Sequence, residues 1–493
     1  MENKENRIRA RIVVEIDGYL DAALLVGSGE DEKADMDQLL TADGIPFIPG
    51  SSMAGVLRSY LEQAAGLREA EALFGTLGWT QRTNGKCGED GIVLELQSRI
   101  LVYDTLLKNS YTVRRDGVRL NEGKTSDENM KFDMQAVETG ADCRLRLEII
   151  IRDSQAMDHL EAAIDRDLAR VKYCVSGLKR GSLRLGAKKN RGFGKLEVRR
   201  ARYRTFRMDD RDDFQAWLDW NWDQKGAFEG SKKWSEEALL AESPAGERCM
   251  QIPLALSATL LIRSYASPGW GKESASEQDR DLTADCGQLA LKDGTAVIPG
   301  STWAGAVRSY VADLARQTGG FISWEEAQKA LEPFWGTWSS GRKRSALRAS
   351  RIVFEETRIS GGHSLMMRRT AVDRFTGGAA KGALFGETLW AGGNVLLTVR
   401  WQEQGLDEQE KNALPGMLLW AVQGLNSGLL TVGGESGVGR GIFEPAGDVL
   451  LDGQEIEEEK EKQYLQAAAL WCRRQKEVQD GKNSENHIHV QAL

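Results

Sequence analysis

Histidine and cysteine are scarce: four and six among 493 residues. Cys87, Cys143, Cys174, Cys249, Cys286 and Cys472 never form a C-x-x-C pair, and the histidines show no helical ligand spacing, only the neighbours His487 and His489 in the tail. Structural zinc is therefore not expected, Ser/His/Asp and Cys/His catalytic sets have no support, and the cysteines read as reduced thiols of a reducing compartment. Long apolar runs are also missing. Leu145 to Ile151 and Val395 to Val399 are broken by charge well short of the ~20 residues that cross a bilayer. Met1 to Arg7 lead directly into a strand pattern without a signal-peptide core, so a cytoplasmic protein with no membrane partner is expected. Nucleotide fingerprints are absent as well. Gly437, Gly439 and Gly441 miss G-x-G-x-x-G, and Gly181 to Lys188 misses the P-loop because Ala187 stands where the lysine is required. No organic cofactor is expected.

What the chain does have is a duplication. Ile48-Pro49-Gly50-Ser51-Ser52-Met53-Ala54-Gly55-Val56-Leu57-Arg58-Ser59-Tyr60 returns as Ile298-Pro299-Gly300-Ser301-Thr302-Trp303-Ala304-Gly305-Ala306-Val307-Arg308-Ser309-Tyr310. Ser98-Arg99-Ile100 returns as Ser350-Arg351-Ile352, and Phe74-Gly75 has its counterpart in Phe334-Trp335-Gly336. With 41% hydrophobic and 28% charged residues the composition is globular, and a domain size of roughly 100–200 residues allows about two to four domains, of which the repeat selects two. The predicted division is residues 1–206, a Trp-rich acidic joint 207–249, a second domain 250–446, and a charged helix and tail 447–493. Each domain opens with an alternating strand, Ile8 to Ile16 and Leu254 to Ile262, and continues past Pro-Gly-Ser into an amphipathic helix. The tail is predicted as a helix over Gln454 to Lys476 followed by a polar stretch.

The net charge of −8 conceals its distribution. Lys172, Lys179, Arg180, Arg184, Lys188, Lys189, Arg191, Lys195, Arg199, Arg200, Arg202 and Arg204 stand against the single acid Glu197, and Arg342 to Arg374 is a lesser version. Such a run serves either as a solvated face or as a nucleic-acid surface. Trp217, Trp220, Trp222 and Trp234 in the joint fit packing against a neighbouring unit better than stacking on bases. The serines after Pro49-Gly50 and Pro299-Gly300 occupy predicted N-cap positions, where a helix start can hold a phosphate or simply be capped. Glycine-rich passages close both domains, Leu185 to Lys195 and Val432 to Gly441; the first is basic and suits a phosphate chain, whereas the second contains Glu435.

The doubled Pro-Gly-Ser turn, the Phe-Gly after its helix and the terminal glycine loop resemble the RAMP superfamily of CRISPR-associated proteins. Val372-Asp373-Arg374-Phe375-Thr376-Gly377-Gly378-Ala379 followed by Leu384-Phe385 is similar to the backbone (group-seven) subunits of type III interference complexes, two of them fused. The resemblance implies an α+β fold of two tandem ferredoxin-like, RRM-like domains, each with a thumb hairpin and a glycine-rich loop. It implies as partners a guide CRISPR RNA, a target RNA, and other RAMP and large subunits of a type III effector complex. The RNA-binding candidates are Ser51, Ser52, Arg58, Lys188, Lys189, Arg191, Gly192, Phe193 and Gly194 in the first domain. In the second they are Ser301, Thr302, Arg308, Arg374, Gly437, Gly439 and Arg440. The family carries a target-cleaving Asp six positions before the acid that precedes the turn. Counting from Asp43 gives Asp37, and counting from Asp293 gives Gly287, which leaves Asp285, the counterpart of Asp35, as the second domain's alternative.

A carboxylate suffices for RNA cleavage because the 2′-hydroxyl supplies the nucleophile; Asp37 would act as base or hold a divalent cation, Mg2+ by its chemistry. Asp35 and Asp37 are equally readable as solvated loop acids. A non-catalytic guide-binding scaffold is the alternative function, and a guide-processing endoribonuclease is disfavoured by the scarcity of histidine.

Overall fold

The structure, a computed structural model, describes residues 6–29, 34–76, 97–156, 159–241, 246–264, 284–337 and 347–490. Two compact units are present. The first comprises residues 1–112, 135–187 and 194–245; the second comprises 113–134, 188–193 and 246–493.

In the first unit the strand Ile8–Leu20 is central. It pairs antiparallel on one side with Asp142–Arg152 and on the other with Leu196–Arg207, and the short strand Ile100–Val102 adds to the far edge of Asp142–Arg152. Alternation sorts its side chains: Ala10, Ile12, Val14 and Ile16 point to one face and are all buried. There they meet Met53, Leu57 and Leu61 of the helix Gly50–Ala65 and Ile164, Val171 and Val175 of the helix Leu160–Arg180. Each of the larger aliphatic side chains contributes about 1.5–3 kcal/mol on leaving water.

The second unit repeats the arrangement around Glu247–Leu256, which lies between Asn394–Gln402 and Phe443–Pro445. Ile352–Phe354 extends the far edge of Asn394–Gln402. Its core collects Trp303, Val307 and Val311 from the helix Gly300–Gly319 and Met417, Leu418 and Leu425 from the helix Glu408–Asn426. The opening strand begins earlier than its alternation suggests and stops at Leu256, where Ser257 turns the chain by donating its N–H to Ile442 O at 3.1 Å. The terminal helix runs over Glu458–Val490, beyond the predicted Lys476, and buries Tyr464, Ala468, Trp471 and Cys472 in the same core. Among the described residues no helix is long and apolar enough to cross a membrane.

The glycine of each Pro-Gly-Ser turn is a contact requirement. A Cβ on Gly50 would lie 2.1 Å from Val102 O, and one on Gly300 would lie 2.0 Å from Phe354 O. The helix start in each repeat is thus pressed against its edge strand. A second shared contact lies between the helices, where a Cβ on Gly177 or Gly424 would strike the Tyr60 or Tyr310 ring at 2.4 or 2.5 Å respectively.

Candidate nucleic-acid interface

The serines do not cap their helices. Pro49 and Pro299 are the N-cap residues, and neither cap carries a side-chain hydrogen bond. Each helix begins one residue early because proline's fixed φ, −58° at Pro49, already leads into it. The Gly50 N–H instead donates to Asp104 Oδ1 at 2.7 Å, a partner the local sequence does not signal. Ser51, Ser52 and Ser301 are left exposed and Thr302 half-buried on the first turn. Arg58 and Arg308, by contrast, turn inward. Arg58 Nη1 donates to Gly75 O at 2.5 Å, and Arg308 donates to Trp335 O and Gly336 O at 3.2 and 3.3 Å. These guanidiniums serve the carbonyl end of the helix that stops at the repeated glycine, Leu67–Phe74 or Glu332–Trp335, so the repeated Arg and the repeated Phe-Gly are two halves of one contact.

The two glycine loops share a backbone. Gly186 and Gly433 have positive φ, Lys188 and Glu435 are left-handed at φ 57° and 60°, and a 3-10 turn follows in each, Lys189–Arg191 and Ser436–Val438. Lys189 and Arg191 are exposed. Lys188 is half-buried with Nζ 4.8 Å from the Phe132 ring centroid; burial and then the Arg191 charge pull its ammonium down to about 8. Gly192, Phe193 and Gly194 are buried by the chain itself: a Cβ on Gly192 would meet Glu356 N at 2.8 Å, and one on Gly194 would meet Leu185 O at 1.9 Å. They shape the loop. In the second loop Gly437 and Gly439 face open space, while Arg440 is only 3% exposed and pairs with Glu387 at 2.8 Å and Glu435 at 2.6 Å.

The acid-bearing loops differ between repeats. Asp35 is exposed and Asp37 is 6% exposed, its carbonyl accepting from Ser28 N–H at 3.0 Å. Gly287 lies inside a short strand, Cys286–Gln288, opposite Ser264 and Thr388. Asp285 is exposed, but its Oδ2 accepts from Gly386 N–H at 3.0 Å, which ties it to the strand Ala379–Ala391. Both loops are fixed by a residue that sequence reading passed over. Gln38 Oε1 accepts from Val26 N–H at 3.0 Å and its Nε2 donates to Leu39 O at 3.1 Å; Gln288 accepts from Ile262 N–H at 2.7 Å and donates to Leu289 O and Val297 O. Their identical place in the duplicated loop was the available signal.

Much of the basic run is neutralised within its own sheet. Glu15 stands opposite Arg202 and Arg146, and Asp17 opposite Arg200 and Arg144, across the two strand pairs. Arg202 reaches Glu15 at 2.5 Å and Arg200 reaches Asp17 at 2.5 Å. Burial would push Asp17 up, but the Arg200 hydrogen bond and the Arg144 charge outweigh it and hold the carboxyl below its usual range. Lys179 pairs with Glu197 and Glu236, and Lys195 with Asp21. The Trp-rich joint packs on this same unit, with Trp217, Trp220 and Trp222 joining Phe206, Phe228 and Val13 on the outer face of the sheet and Trp234 lying 4.8 Å from Tyr203. Arg342, Lys343 and Arg344 lie outside the described residues.

Arg374 is exposed at the tip of the hairpin formed by His363–Val372 and Ala379–Ala391, beside Phe375, which is 98% exposed. Asp373 Oδ1 shapes that tip by accepting from the N–H groups of Phe375 and Thr376 at 3.0 and 2.8 Å. The five cysteines among the described residues are free, and burial pushes Cys143, Cys174 and Cys472 up to about 12, far from thiolate chemistry.

Among solved structures, a chain in the cryo-EM structure of the Type III-B Cmr-beta bound to cognate target RNA is similar. The identity is 17% over 39% of this chain and 60% of that one, with a TM-score of 0.28. This chain thus spans about three fifths of that one, and no curated protein matches. The family model of the RAMP superfamily matches twice in succession, over residues 20–197 and 269–444, and with well over half of the sequence so covered the chain belongs to that superfamily.

Proposed function

We propose that the chain is a backbone subunit of a type III CRISPR ribonucleoprotein, a tandem pair of ferredoxin-like domains that lies along a guide RNA and cleaves paired target RNA through the Asp35–Asp37 loop. The observation that carries this reading is the cationic turn of half-buried Lys188 and exposed Lys189 and Arg191 on a positive-φ glycine loop, in a chain whose two halves are both RAMP repeats. Contacts of this kind follow phosphates and 2′-hydroxyls and leave the guide bases free to pair. The guide and target RNAs and the remaining subunits of the complex are its partners in this reading. The exposed hairpin tip with Arg374 and Phe375 is a second element suited to a nucleic-acid duplex.

Cleavage is assigned to the first repeat. Asp37 or Asp35 would take the 2′-hydroxyl proton or hold a Mg2+. Among the described residues no three His, Cys, Asp or Glu side chains converge as a ligand set. A Mg2+ here would rest on one or two of these carboxylates and take its remaining oxygens from phosphate and water, a mode the ion commonly uses. For the second repeat a scaffold role is favoured, because Gly287 carries no acid and Asp285 is tied to Gly386.

Purification of the full chain with its complex should recover an RNA of uniform size with a common repeat-derived end; random cellular RNA would refute the reading. In reconstituted complex, Asp37→Ala or Asp35→Ala should abolish cleavage of target RNA at the first repeat's position, and wild-type cutting by both variants would reject the catalytic assignment and leave the scaffold.

A further inference from the structure

The residue in the left-handed position of each glycine loop reaches its own repeat's hairpin, and the two do so with opposite charge. Lys188 places its ammonium over Phe132, which lies on the strand Ser126–Val137. Glu435 reaches Arg369, on the strand His363–Val372, at 2.5 Å, as well as Arg440 at 2.6 Å and Arg263 at 2.8 Å. Glu387, on the partner strand of that hairpin, completes the set by pairing with Arg369 and Arg440, both at 2.8 Å. Glu435, Glu387 and Arg440 are largely withdrawn from water, with side chains 16%, 6% and 3% exposed. Buried charges of this kind are costly to separate, since each left alone keeps its desolvation penalty.

We propose that Glu435 is a positioning residue, a carboxylate latch that fixes the base of the second hairpin to the second glycine loop, so that of the two loops only the first lends a cation to RNA. The contrast lies in what each loop can release. Lys188 is held by a ring face, and a phosphate can take its place beside the ammonium at little cost. Glu435 is held by three guanidiniums, so a phosphate approaching that loop meets a carboxylate already in its place. The hairpin carrying Arg374 and Phe375 is then presented at a fixed angle whether or not RNA is bound.

The RNA half of the inference rests on the function proposed above; the latch itself does not, and the test separates them. Hydrogen exchange of the free full-length chain is followed by mass spectrometry in wild type, Glu435→Gln and, because Arg369 is 34% exposed and its removal disturbs the core less, Arg369→Gln. Peptides within 363–391 should exchange about tenfold faster in either variant, with the double variant no faster than the worse single one. Peptides over 113–134 should be unchanged. Exchange across 363–391 at the wild-type rate in both variants, or additive effects in the double variant, would overturn the latch. On single-stranded RNA, Lys188→Met should lower the salt slope by about one while Glu435→Gln leaves it at the wild-type value. A steeper slope in Glu435→Gln would mean that the arginines are phosphate sites masked by Glu435, and would overturn the positioning role. A flat response to Lys188→Met would count against the proposed RNA contact while leaving the exchange result standing.

Discussion

Removing the carboxylate of Asp167 should destabilise the first unit more than any surface change can. Asp167 is 2% exposed and accepts from Arg99 Nη1 and Nη2 at 2.7 and 3.1 Å and from Arg170 Nη1 at 2.7 Å. Arg99 also donates through Nε to Ala72 O at 2.8 Å, so one guanidinium joins the helix Leu160–Arg180 to the end of the helix Leu67–Phe74. Asp167→Ala leaves Arg99, 13% exposed, facing a mostly buried site without its carboxylate, while Arg170 keeps Glu69. Breaking one side of a buried pair costs about 3–5 kcal/mol. In a unit of this size each kcal/mol moves the midpoint by about 2–4 °C, so differential scanning calorimetry of the full chain should show the first unit's transition about 6–20 °C lower. The guanidinium of Arg351, the repeat counterpart of Arg99, donates to Gln404 O at 2.6 Å in an exposed setting, and Arg351→Ala should cost less than about 1 kcal/mol. Replacing Arg99 and Asp167 together by Met and Leu should recover much of the loss, because charge is then removed along with its partner. A shift below about 3 °C in Asp167→Ala, or an equal effect from Arg351→Ala, would refute the reasoning.

Three further outcomes can be checked directly. Gly50→Ala and Gly300→Ala should each cost about 2 kcal/mol or more in chemical denaturation, since their Cβ atoms would fall 2.1 and 2.0 Å from a strand carbonyl, whereas Gly55→Ala and Gly305→Ala, which meet nothing within 4 Å, should be neutral or stabilising. Lys188 is depressed from 10.5 to about 8, so the folded chain binds fewer protons than the unfolded one between those values and this residue's contribution to stability rises with pH across that window. RNA retention needs the charged form and should weaken as pH climbs past about 8, a pH dependence that should disappear in Lys188→Met when binding is titrated at constant salt. Trp220 lies 5.1 Å from Phe228 and 5.3 Å from Phe206, and Trp220→Ala should lower stability by about 3 kcal/mol and flatten the near-ultraviolet circular dichroism of the aromatic cluster.

Order along the chain was legible; meetings across it were not. The repeated turn, its amphipathic helix and the alternation from Ile8 to Ile16 each depend on neighbours within a few residues, and all of them formed the expected elements. The basic run misled because charge was read along one strand: Arg202 sits 187 positions from Glu15, and only sheet register reveals that they are opposite. Asp104 serves as the partner of the Gly50 N–H from 54 positions away, in place of the adjacent serines. Arg440 looked like a cation beside a glycine loop until the hairpin supplied Glu387. The Trp-rich joint was read correctly as packing rather than stacking, but its partner is the outer sheet face of the unit it follows, a surface that no local pattern announces.

The buried amides of Gln38 and Gln288 keep one anchor in both copies of the loop while the residue beside them changes. Gln38 bonds the backbone of Val26 and Leu39, and Gln288 that of Ile262, Leu289 and Val297, each from a position next to the one that carries Asp37 in one copy and Gly287 in the other. The structural anchor and the neighbouring side chain are thereby separate residues, so an acid can be gained or dropped beside the amide without removing the anchor. Two copies of one duplicated loop are thus free to diverge separately, one carrying a carboxylate at that position and the other a glycine.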